Sequence, residues 1–261
     1  MEHALTRPGR AVRGGALGRR GFESGSETYE RARPDYPVAA VECILGTTGI
    51  TGDTRVLDLA AGTGKLTRQL WSRGANCVAL EPSEAMRKVF RQVLPNVPLI
   101  AGTAESIPAS RGSMEAVVVA QAFHWFDPPQ SLAEIARVLR PEGWLALIWN
   151  ERDESDPTMA ELVRVSKWDR NQPYPMGKDF GKLLDRSRLF GPVERTRFRF
   201  VLSVDRQRFV EQVASRSYVR VMDGQDQQAL LARVAELAEE LEEPIAMPHI
   251  TDLFCAQALG R

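Results

Sequence analysis

Short apolar segments alternate with amphipathic ones between residues 38 and 149 of this chain. Apolar runs of five or six residues bounded by turn-forming residues predict strands, and apolar positions three or four apart predict helices. The run AVVVA at Ala116–Ala120 is typical of a strand that is covered on both faces of a parallel sheet. The predicted strands are Arg55–Ala60, Asn76–Leu80, Val97–Ala101, Ala116–Ala120 and Trp144–Trp149. The predicted helices are Val38–Leu45, Lys65–Ser72, Glu84–Val93 (capped by Ser83) and Ser131–Leu139.

This alternation indicates βαβ units and therefore a doubly wound α/β sheet with helices on both faces. The pattern is looser after Asn150, but no break separates an independent second domain. We therefore predict a single domain over residues 23–261, with a cofactor-binding half at 38–150 and an acceptor-shaping half at 151–261. The further predicted elements are helices Pro157–Trp168, Asp179–Arg188, Arg206–Ala214 and Gln225–Glu243, and strands Thr196–Val204 and Ile250–Ala258.

Composition narrows the functional classes. The 261 residues carry 34 Lys and Arg against 34 Asp and Glu, so no global field favours nucleic acid or an anionic membrane. No apolar run approaches the ~20 residues that span a bilayer. Three scattered cysteines, with Cys77 and Cys255 in apolar segments, indicate buried thiols in a reducing compartment. We expect a cytoplasmic protein with no nucleic-acid partner, no membrane partner and no metal site, and the sequence leaves its oligomeric state open.

Residues 1–22 differ from the rest because they hold five arginines and one acid, Glu2. They lack the apolar stretch of a secretory signal. We interpret them as a disordered basic tail. A mitochondrial transit peptide is the alternative, because such peptides are rich in arginine and poor in acids.

The stretch VLDLAAGTGKLT, residues 56–67, places small residues directly after a buried strand. Ala and Gly let main chain approach a ligand closely, and the next helix directs its first N–H groups toward the same place. Asp58 ends this strand, and Glu81 ends the next strand 23 residues later. A carboxylate at that offset suits the two hydroxyls of a ribose. The turn alone also fits a plain strand–helix connection, and Glu81 favours a nucleotide site.

Four stretches together resemble the motifs of class I S-adenosylmethionine-dependent methyltransferases, in order and with the family's spacing, over roughly residues 29–150. They are VLDLAAGTGKLT (56–67), VALEPSEAMRK (78–88), IAGTAESIP (100–108) and the run from VVVAQAFHWFD (117–127) to the strand before Asn150. The resemblance implies a seven-stranded, mostly parallel sheet whose last strand is antiparallel. AFHWFD and the upstream YERARPDYP (29–37) resemble a small-molecule branch related to trans-aconitate methyltransferases.

The resemblance implies cofactor roles near the turn. Main chain around Ala60, Gly62 and Gly64 would hold the methionine part of S-adenosylmethionine, and Asp58 would orient its amino group. Glu81 would accept hydrogen bonds from the ribose hydroxyls. The family motif has Gly where this chain has Ala60, and alanine permits the same approach if its φ is negative.

Further roles follow from the same resemblance. Pro82 and Met86 would lie against the adenine, and Ala104 and Glu105 would meet its edge. Gln121, at the end of the fourth strand, would approach the reaction centre. Met86 also lies on an apolar helix face, which is equally typical of a core residue.

His124 is the candidate general base, because an imidazole titrates near neutrality. A loop histidine is more often a hydrogen-bonding prop, and methyl transfer from a sulfonium needs a base only when the acceptor proton is held tightly. Arginines in ETYERARPDYP (27–37) and ASRSYVRVM (214–222) indicate a small, acidic acceptor, since guanidinium groups bind carboxylates in a bidentate fork. Those arginines are also compatible with an ordinary charged surface.

Two other functions remain open from sequence. The first is transfer of a sulfonate from another adenosine-bearing donor, although Glu81 would repel the 3′-phosphate of that donor. The second is a non-catalytic protein that binds adenosine compounds on the same fold. Competition between S-adenosylhomocysteine and adenosine 3′,5′-bisphosphate distinguishes sulfonate transfer from methyl transfer. Failure to bind either compound counts against both enzymatic functions.

Overall fold

The computed structural model of the chain describes residue 30 together with residues 32–166 and 180–260. The predicted basic tail at 1–22 and the residues Tyr29, Arg31 and Trp168 lie outside the described part. In the described part no helix combines the length and the apolar character needed to cross a bilayer. The predicted cytoplasmic location and the predicted lack of a nucleic-acid partner stay predictions.

Seven strands form one sheet in the order β3-β2-β1-β4-β5-β7-β6. Strands β1 to β5 are parallel, and β7 runs antiparallel between β5 and β6. The predicted α/β class, with a mostly parallel sheet and an antiparallel last strand, is confirmed. The strands are β1 Arg55–Leu59, β2 Asn76–Leu80, β3 Leu99–Ile100, β4 Met114–Ala120, β5 Leu139–Arg152, β6 Glu194–Val204 and β7 Ile245–Gln257.

Helices connect these strands. The helices before β5 are α1 Val38–Thr48, α2 Lys65–Trp71, α3 Glu84–Val93 and α4 Pro128–Val138, with a 3-10 turn at Phe123–Trp125. The helices after β5 are α5 Pro157–Ser166, α6 Phe180–Ser187, α7 Arg206–Ala214, α8 Ser217–Arg220 and α9 Gly224–Glu239. Ser83 caps α3 as predicted, since its side chain accepts a hydrogen bond from the Met86 N–H. Asp127, Asp205 and Asp223 cap α4, α7 and α9 in the same way.

Side chains alternate between two cores on the two faces of the sheet. Helices α1, α2 and α3 cover one face, where Ile44, Leu70 and Phe90 pack against β1, β2 and β4. Helices α4 and α6 cover the other face, where Ile135 and Leu184 pack against β4 and β5. The nearly continuous apolar run of β4 follows from this arrangement, because both of its faces are buried.

A third apolar cluster lies beyond the sheet on the ends of β6 and β7. Helices α5, α7 and α9 pack there through Leu162, Phe209 and Val234 against Met247 and Ile245. This cluster places part of the C-terminal half next to the C-terminal ends of the parallel strands. The cleft lies at those ends.

Several predicted boundaries were wrong. Strand β5 begins at Leu139 rather than Trp144, because Leu139 already pairs with Met114; residues 140–143, with Glu142 at a φ of +63°, form an irregularity before regular pairing resumes at Trp144. Strand β7 begins at Ile245 rather than Ile250, since it pairs with the whole length of β6. The predicted long helix ends at Glu239 rather than Glu243, ahead of Pro244. Strand β3 has only two paired residues, Leu99 and Ile100.

Candidate active site

An open cleft lies where the strand order reverses, between the C-terminal ends of β1 and β4. In a doubly wound sheet this switch point is where ligands bind, because the connecting loops diverge there. The cleft encloses about 580 Å³ including the solvent at its mouth, and it is lined by Arg33, Pro34, Tyr36, Ala60, Ala61, Gly62, Thr63, Lys65, Leu66, Ala120, Gln121, Asn150, Arg216 and His249.

The glycine turn, residues 60–64, forms one wall of this cleft. Gly62 has a φ of +61°, and a Cβ placed on it would meet no heavy atom within 4 Å. Its bare main chain therefore leaves room in the cleft that a larger residue would fill. Gly64 differs, because a Cβ there would lie 2.8 Å from Leu94 and Phe90 side chains. Gly64 is required by packing against α3 as well as by its φ of +90°.

The φ angle of Ala60 is positive, whereas close approach of an alanine to the ligand was expected to need a negative φ. Its φ is +59°, in the left-handed region where a Cβ crowds the following carbonyl oxygen. The chain must curve there because β1 ends at Leu59 and Ala61 N–H bonds back to Leu80 O at 3.1 Å. Ala60 thus bears backbone strain that glycine would avoid, and Gln121, at the end of β4 on the opposite side, has a similar φ of +58°.

Glu81 ties the glycine turn to the start of α3. Its Oε2 accepts the Gly62 N–H at 2.9 Å, and its Oε1 accepts the Ser83 N–H at 2.8 Å. The side chain is almost fully buried, and burial raises its pKa while these two main-chain donors partly oppose the rise. Each carboxylate oxygen retains a second lone pair, so Glu81 can still accept hydrogen bonds from a ligand.

Asp58 lies completely buried beneath the glycine turn. Its Oδ2 accepts the Thr67 hydroxyl at 2.5 Å, whereas its Oδ1 has no hydrogen-bond partner. Burial raises the pKa of Asp58 to about 7; the Thr67 hydrogen bonds oppose the rise, and the nearby Glu81 adds to it. A buried acceptor without a partner is a site where a ligand or water donor lowers the free energy.

The other predicted cofactor residues have varied positions. Gln121 lines the cleft, and its Nε2 donates to the Asn150 carbonyl at 2.9 Å. Met86 and Ala104 are buried, while Pro82 and Glu105 are half-buried. Glu105 accepts the Asp127 N–H at 3.0 Å, which ties the loop after β3 to α4. Of the predicted set only Ala60, Gly62 and Gln121 line the cleft itself.

His124, the predicted base, is half-buried in the 3-10 turn after β4. Its ring lies 4.5 Å from that of Trp125 and 6.1 Å from that of Trp149, measured between centroids. Burial first, and the charge of Arg33 second, lower its pKa to about 3. This pKa leaves the imidazole neutral at neutral pH, and within the described residues its buried Nδ1 has no hydrogen-bond partner.

A basic cluster faces the glycine turn across the cleft. We define it as Arg33, Arg152, Arg216, Tyr218 and His249, of which Arg33, Arg216 and His249 line the cleft. Arg152 and Arg216 are both buried, and burial lowers the pKa of Arg152 to about 10, so it stays charged at neutral pH.

His249 completes the cluster in an uncharged form. Burial lowers its pKa to about 4; the hydrogen bond to the Met247 carbonyl, the next largest effect, opposes the fall, and the charges of Arg152, Arg216 and Arg33 add to it. Its Nδ1 lies 2.7 Å from the Met247 carbonyl, which only accepts, so Nδ1 carries the proton and Nε2 is an acceptor. The ring also stacks on Phe200 at 5.2 Å.

Sequence reasoning identified the arginines of residues 27–37 and 214–222, among them Arg33 and Arg216, but missed Arg152 and His249. The two missed residues are partners in the β5–β7 register, and the sequence contains no spacing that joins positions 152 and 249. A signal was available for Arg152, because it comes three residues after the apolar run Trp144–Trp149, at the edge where ligands bind in this fold class. In the described part, no group of three or more His, Cys, Asp or Glu side chains is arranged to hold a metal ion.

The geometry agrees with comparisons to known proteins. Residues 57–147 match a family model described as a methyltransferase domain. Uncharacterized methyltransferase Mb3374 of Mycobacterium bovis is 39% identical over 245 residues, which cover 91% of this chain and 94% of that protein. Uncharacterized methyltransferase-like C25B8.10 of Schizosaccharomyces pombe is 35% identical over 174 residues, covering 62% of this chain and 68% of that one.

The fold is also similar to solved structures. The YcgJ protein from Bacillus subtilis superposes with a TM-score of 0.59 at 18% identity, covering 85% of this chain and 99% of that one. A seven-stranded sheet with an antiparallel β7, and a glycine-lined cleft at its switch point, define the Rossmann-like methyltransferase class. With the 39% identity over nearly the whole chain, this protein belongs to the class I S-adenosylmethionine-dependent methyltransferase family.

Proposed function

We propose that this methyltransferase uses S-adenosylmethionine to methylate a small molecule that carries an acidic group. One observation carries the proposal: the bare main chain of the glycine turn and the guanidinium groups of Arg33 and Arg216 line the same cleft. The first feature suits the donor and the second suits an anionic acceptor. A transferase needs both partners in one water-excluding site, since most of its work is positioning.

The residues present fit the donor. Main chain at Gly62 leaves open space, and the buried Oδ1 of Asp58 lacks a hydrogen-bond donor that an ammonium group or a water would supply. Glu81 keeps lone pairs for the ribose hydroxyls. When bound, S-adenosylmethionine supplies an electrophilic methyl group on a positively charged sulfur. Two buried carboxyl groups beside the turn favour such a cation.

The remaining cofactor roles are part of the same proposal. Pro82 and Met86, at the start of α3, are assigned to one face of the adenine. Ala104 and Glu105 are assigned to its edge, where Glu105 already orders the loop by accepting the Asp127 N–H. Gln121 is assigned to the reaction centre, because it lines the cleft at the end of β4 opposite Ala60.

The acceptor side draws on the C-terminal half of the chain. Arg152, Arg216 and His249 all follow residue 150, which supports the proposed division into a cofactor-binding half at 38–150 and an acceptor-shaping half at 151–261 within one domain. Arginine forks recognise carboxylate or phosphate oxygens in pairs. Their charges also lower the pKa of an acidic group beside them, so the acceptor stays ionised.

An ionised acceptor oxygen needs no general base, because it has no proton to lose. His124, with a pKa of about 3, is neutral at physiological pH and is a weak base. We therefore propose that His124 contributes by accepting a hydrogen bond near the reaction centre, and by removing a proton only if the acceptor is protonated.

The test is a transfer experiment with the purified protein and S-adenosylmethionine carrying an isotopically labelled methyl group. Incubation with a metabolite extract should produce a labelled compound whose mass exceeds that of its precursor by one methylene, and the precursor should bind to an anion exchanger. A labelled product from a cationic precursor would refute the acidic acceptor. Displacement of S-adenosylhomocysteine by adenosine 3′,5′-bisphosphate, without any labelled product, would favour sulfonate transfer. Binding without transfer to any compound would favour a non-catalytic protein.

A further inference from the structure

One short segment, which we name the strap and define as residues 32–37, forms part of the cleft and has no regular structure after Ala32. Residues 34–37 are neither helix nor strand, and Pro34 and Pro37 have no N–H to donate. Arg33, Pro34 and Tyr36 nevertheless line the cleft beside the glycine turn. The position of the strap therefore determines part of the binding site.

Three side-chain carboxamides from three different elements bind the main chain of the strap. Gln69 of α2 donates from Nε2 to the Tyr36 carbonyl at 2.7 Å and accepts the Tyr36 N–H on Oε1 at 3.1 Å. Asn150 of β5 donates from Nδ2 to the Asp35 carbonyl at 3.3 Å. Gln212 of α7 donates from Nε2 to the Ala32 carbonyl.

We infer that Gln69, Asn150 and Gln212 are positioning residues that hold the strap against the cleft and so slow the release of the bound cofactor. This inference rests on the proposed function. A carboxamide offers a donor and an acceptor without charge, so it can pair with main-chain carbonyl and N–H groups. All three carboxamides bind the main chain of the strap, so substituting them leaves the strap side chains themselves unchanged.

Asn150 joins the strap to the reaction centre as well. Its side-chain Oδ1 accepts the buried Thr251 hydroxyl at 2.7 Å, and its main-chain carbonyl accepts Nε2 of Gln121 at 2.9 Å. Asn150 is buried and also lines the cleft. Asn150 thus contacts the strap, strand β7 and the end of β4 through three different atoms. Its two side-chain contacts can therefore be removed one at a time.

Ion pairs add a second connection on the outer side of the strap. Arg68 bonds Asp35 at 3.0 Å and Glu30 at 2.9 Å, and Lys65 lies 3.3 Å from Asp35. Asp35 is half exposed, so salt screens these pairs, and exposed pairs are typically worth under ~1 kcal/mol. We therefore expect cofactor release to respond only weakly to ionic strength, and we assign the position of the strap to the carboxamides together with the packing of Tyr36 in the core.

The experiment measures the dissociation rate of S-adenosylhomocysteine from the full-length protein by stopped-flow. In Asn150→Asp the side chain still accepts the Thr251 hydroxyl but can no longer donate to Asp35. In Gln69→Glu the side chain still accepts the Tyr36 N–H but loses the donor to its carbonyl. We expect each variant to release the ligand roughly tenfold faster, as the loss of one such hydrogen bond implies.

Two matched controls separate positioning from general stability. Thr251→Val removes the other hydrogen bond of Asn150 and leaves the strap contact intact. Gln227→Glu removes a carboxamide donor from the Val219 carbonyl, in a helix that does not border the cleft. We expect both controls to release S-adenosylhomocysteine within about twofold of the wild-type rate. Hydrogen exchange should increase in the strap only in Asn150→Asp and Gln69→Glu.

The outcomes are distinct. If the wild-type protein does not bind S-adenosylhomocysteine, the proposed function fails and this inference fails with it. If the wild type binds it but folded Asn150→Asp and Gln69→Glu release it at the wild-type rate, only this inference is overturned. Equal acceleration in Thr251→Val would overturn it too. If the buried Asn150→Asp does not fold, the half-buried Gln69→Glu decides the question alone.

Discussion

The glycine turn and the basic cluster face each other across one cleft, yet the chain builds them in opposite ways. The glycine turn is continuous main chain, residues 60–64, supported by Asp58 and Glu81. The basic cluster consists of side chains from the strap, β5, α8 and β7, which are distant in sequence. Continuous main chain suits a donor that a whole family shares. A cluster of separate side chains can change one residue at a time. Under the proposed function, cofactor and acceptor recognition can therefore vary independently.

Burial affects the two sides differently. Beside the glycine turn it raises the pKa of Asp58 and of Glu81, which disfavours their charged forms. In the basic cluster it keeps His249 neutral but leaves the arginines charged, because a guanidinium starts from so high a pKa. The cleft thus has one side where Asp58 titrates near neutrality and burial raises the pKa of Glu81, and another side of fixed positive charge. Four substitutions test this contrast, in order of decreasing expected effect.

Asp58→Asn should change the pH dependence of stability most. The pKa of Asp58 rises from 3.8 to about 7 on folding, so its contribution is fully present below pH 3.8 and is lost as pH rises through about 7. The full loss corresponds to ~4 kcal/mol at 1.36 kcal/mol per unit. Thermal unfolding from pH 5 to 8 should therefore show a smaller decline for the Asp58→Asn variant than for wild type. Parallel curves for the two proteins would contradict the raised pKa.

Glu81→Ala should abolish most cofactor affinity. The substitution removes acceptors for the Gly62 and Ser83 N–H groups and for the proposed ribose hydroxyls. Hydrogen bonds to a charged group are strong, so we expect the Kd of S-adenosylhomocysteine to rise roughly 100-fold by calorimetry. Glu134→Ala is the control, because Glu134 accepts the Ile107 N–H away from the cleft. Unchanged affinity in Glu81→Ala would refute the assigned ribose site.

Arg216→Gln should weaken anion binding and leave cofactor binding unchanged. In the presence of S-adenosylhomocysteine, we expect the Kd of small carboxylates to rise about tenfold, because one charged fork is lost. Arg216→Lys keeps the charge without the fork and should recover part of that loss. A matching loss of S-adenosylhomocysteine affinity in Arg216→Gln would mean that the two sides of the cleft are not independent.

Ala60→Gly should give the smallest effect, an increase in stability. Glycine adopts the observed φ of +59° without the crowding of a Cβ, which is worth ~1 kcal/mol in the free energy of unfolding. Thermal unfolding should shift upward by roughly 2–4 °C for a chain of this size. Ala61→Gly is the neighbouring control, since Ala61 is not among the residues with positive φ, and it should show no gain.

Much of the cofactor side could be predicted from sequence. The local pattern of residues 56–67 predicts a strand, a turn and a helix. The spacing of the strands then predicts that Glu81 lies at the end of the next strand. The sign of φ at Ala60 could not be predicted, because it depends on how Ala61 bonds to Leu80 of the neighbouring strand. The contacts of Gln69, Asn150 and Gln212 with the strap could not be predicted either. These residues look like ordinary polar residues until the fold brings them to one segment.

The sequence by itself determined the α/β class, the order of the elements and the position of the glycine turn, because hydrophobic periodicity and turn residues act over a few neighbouring positions. The tertiary structure alone decided the insertion of β7 between β5 and β6, the pairing of Arg152 with His249 and the convergence of three arginines around His249. Those features depend on strand pairing and burial between distant residues, and neither of these leaves a local pattern in the chain.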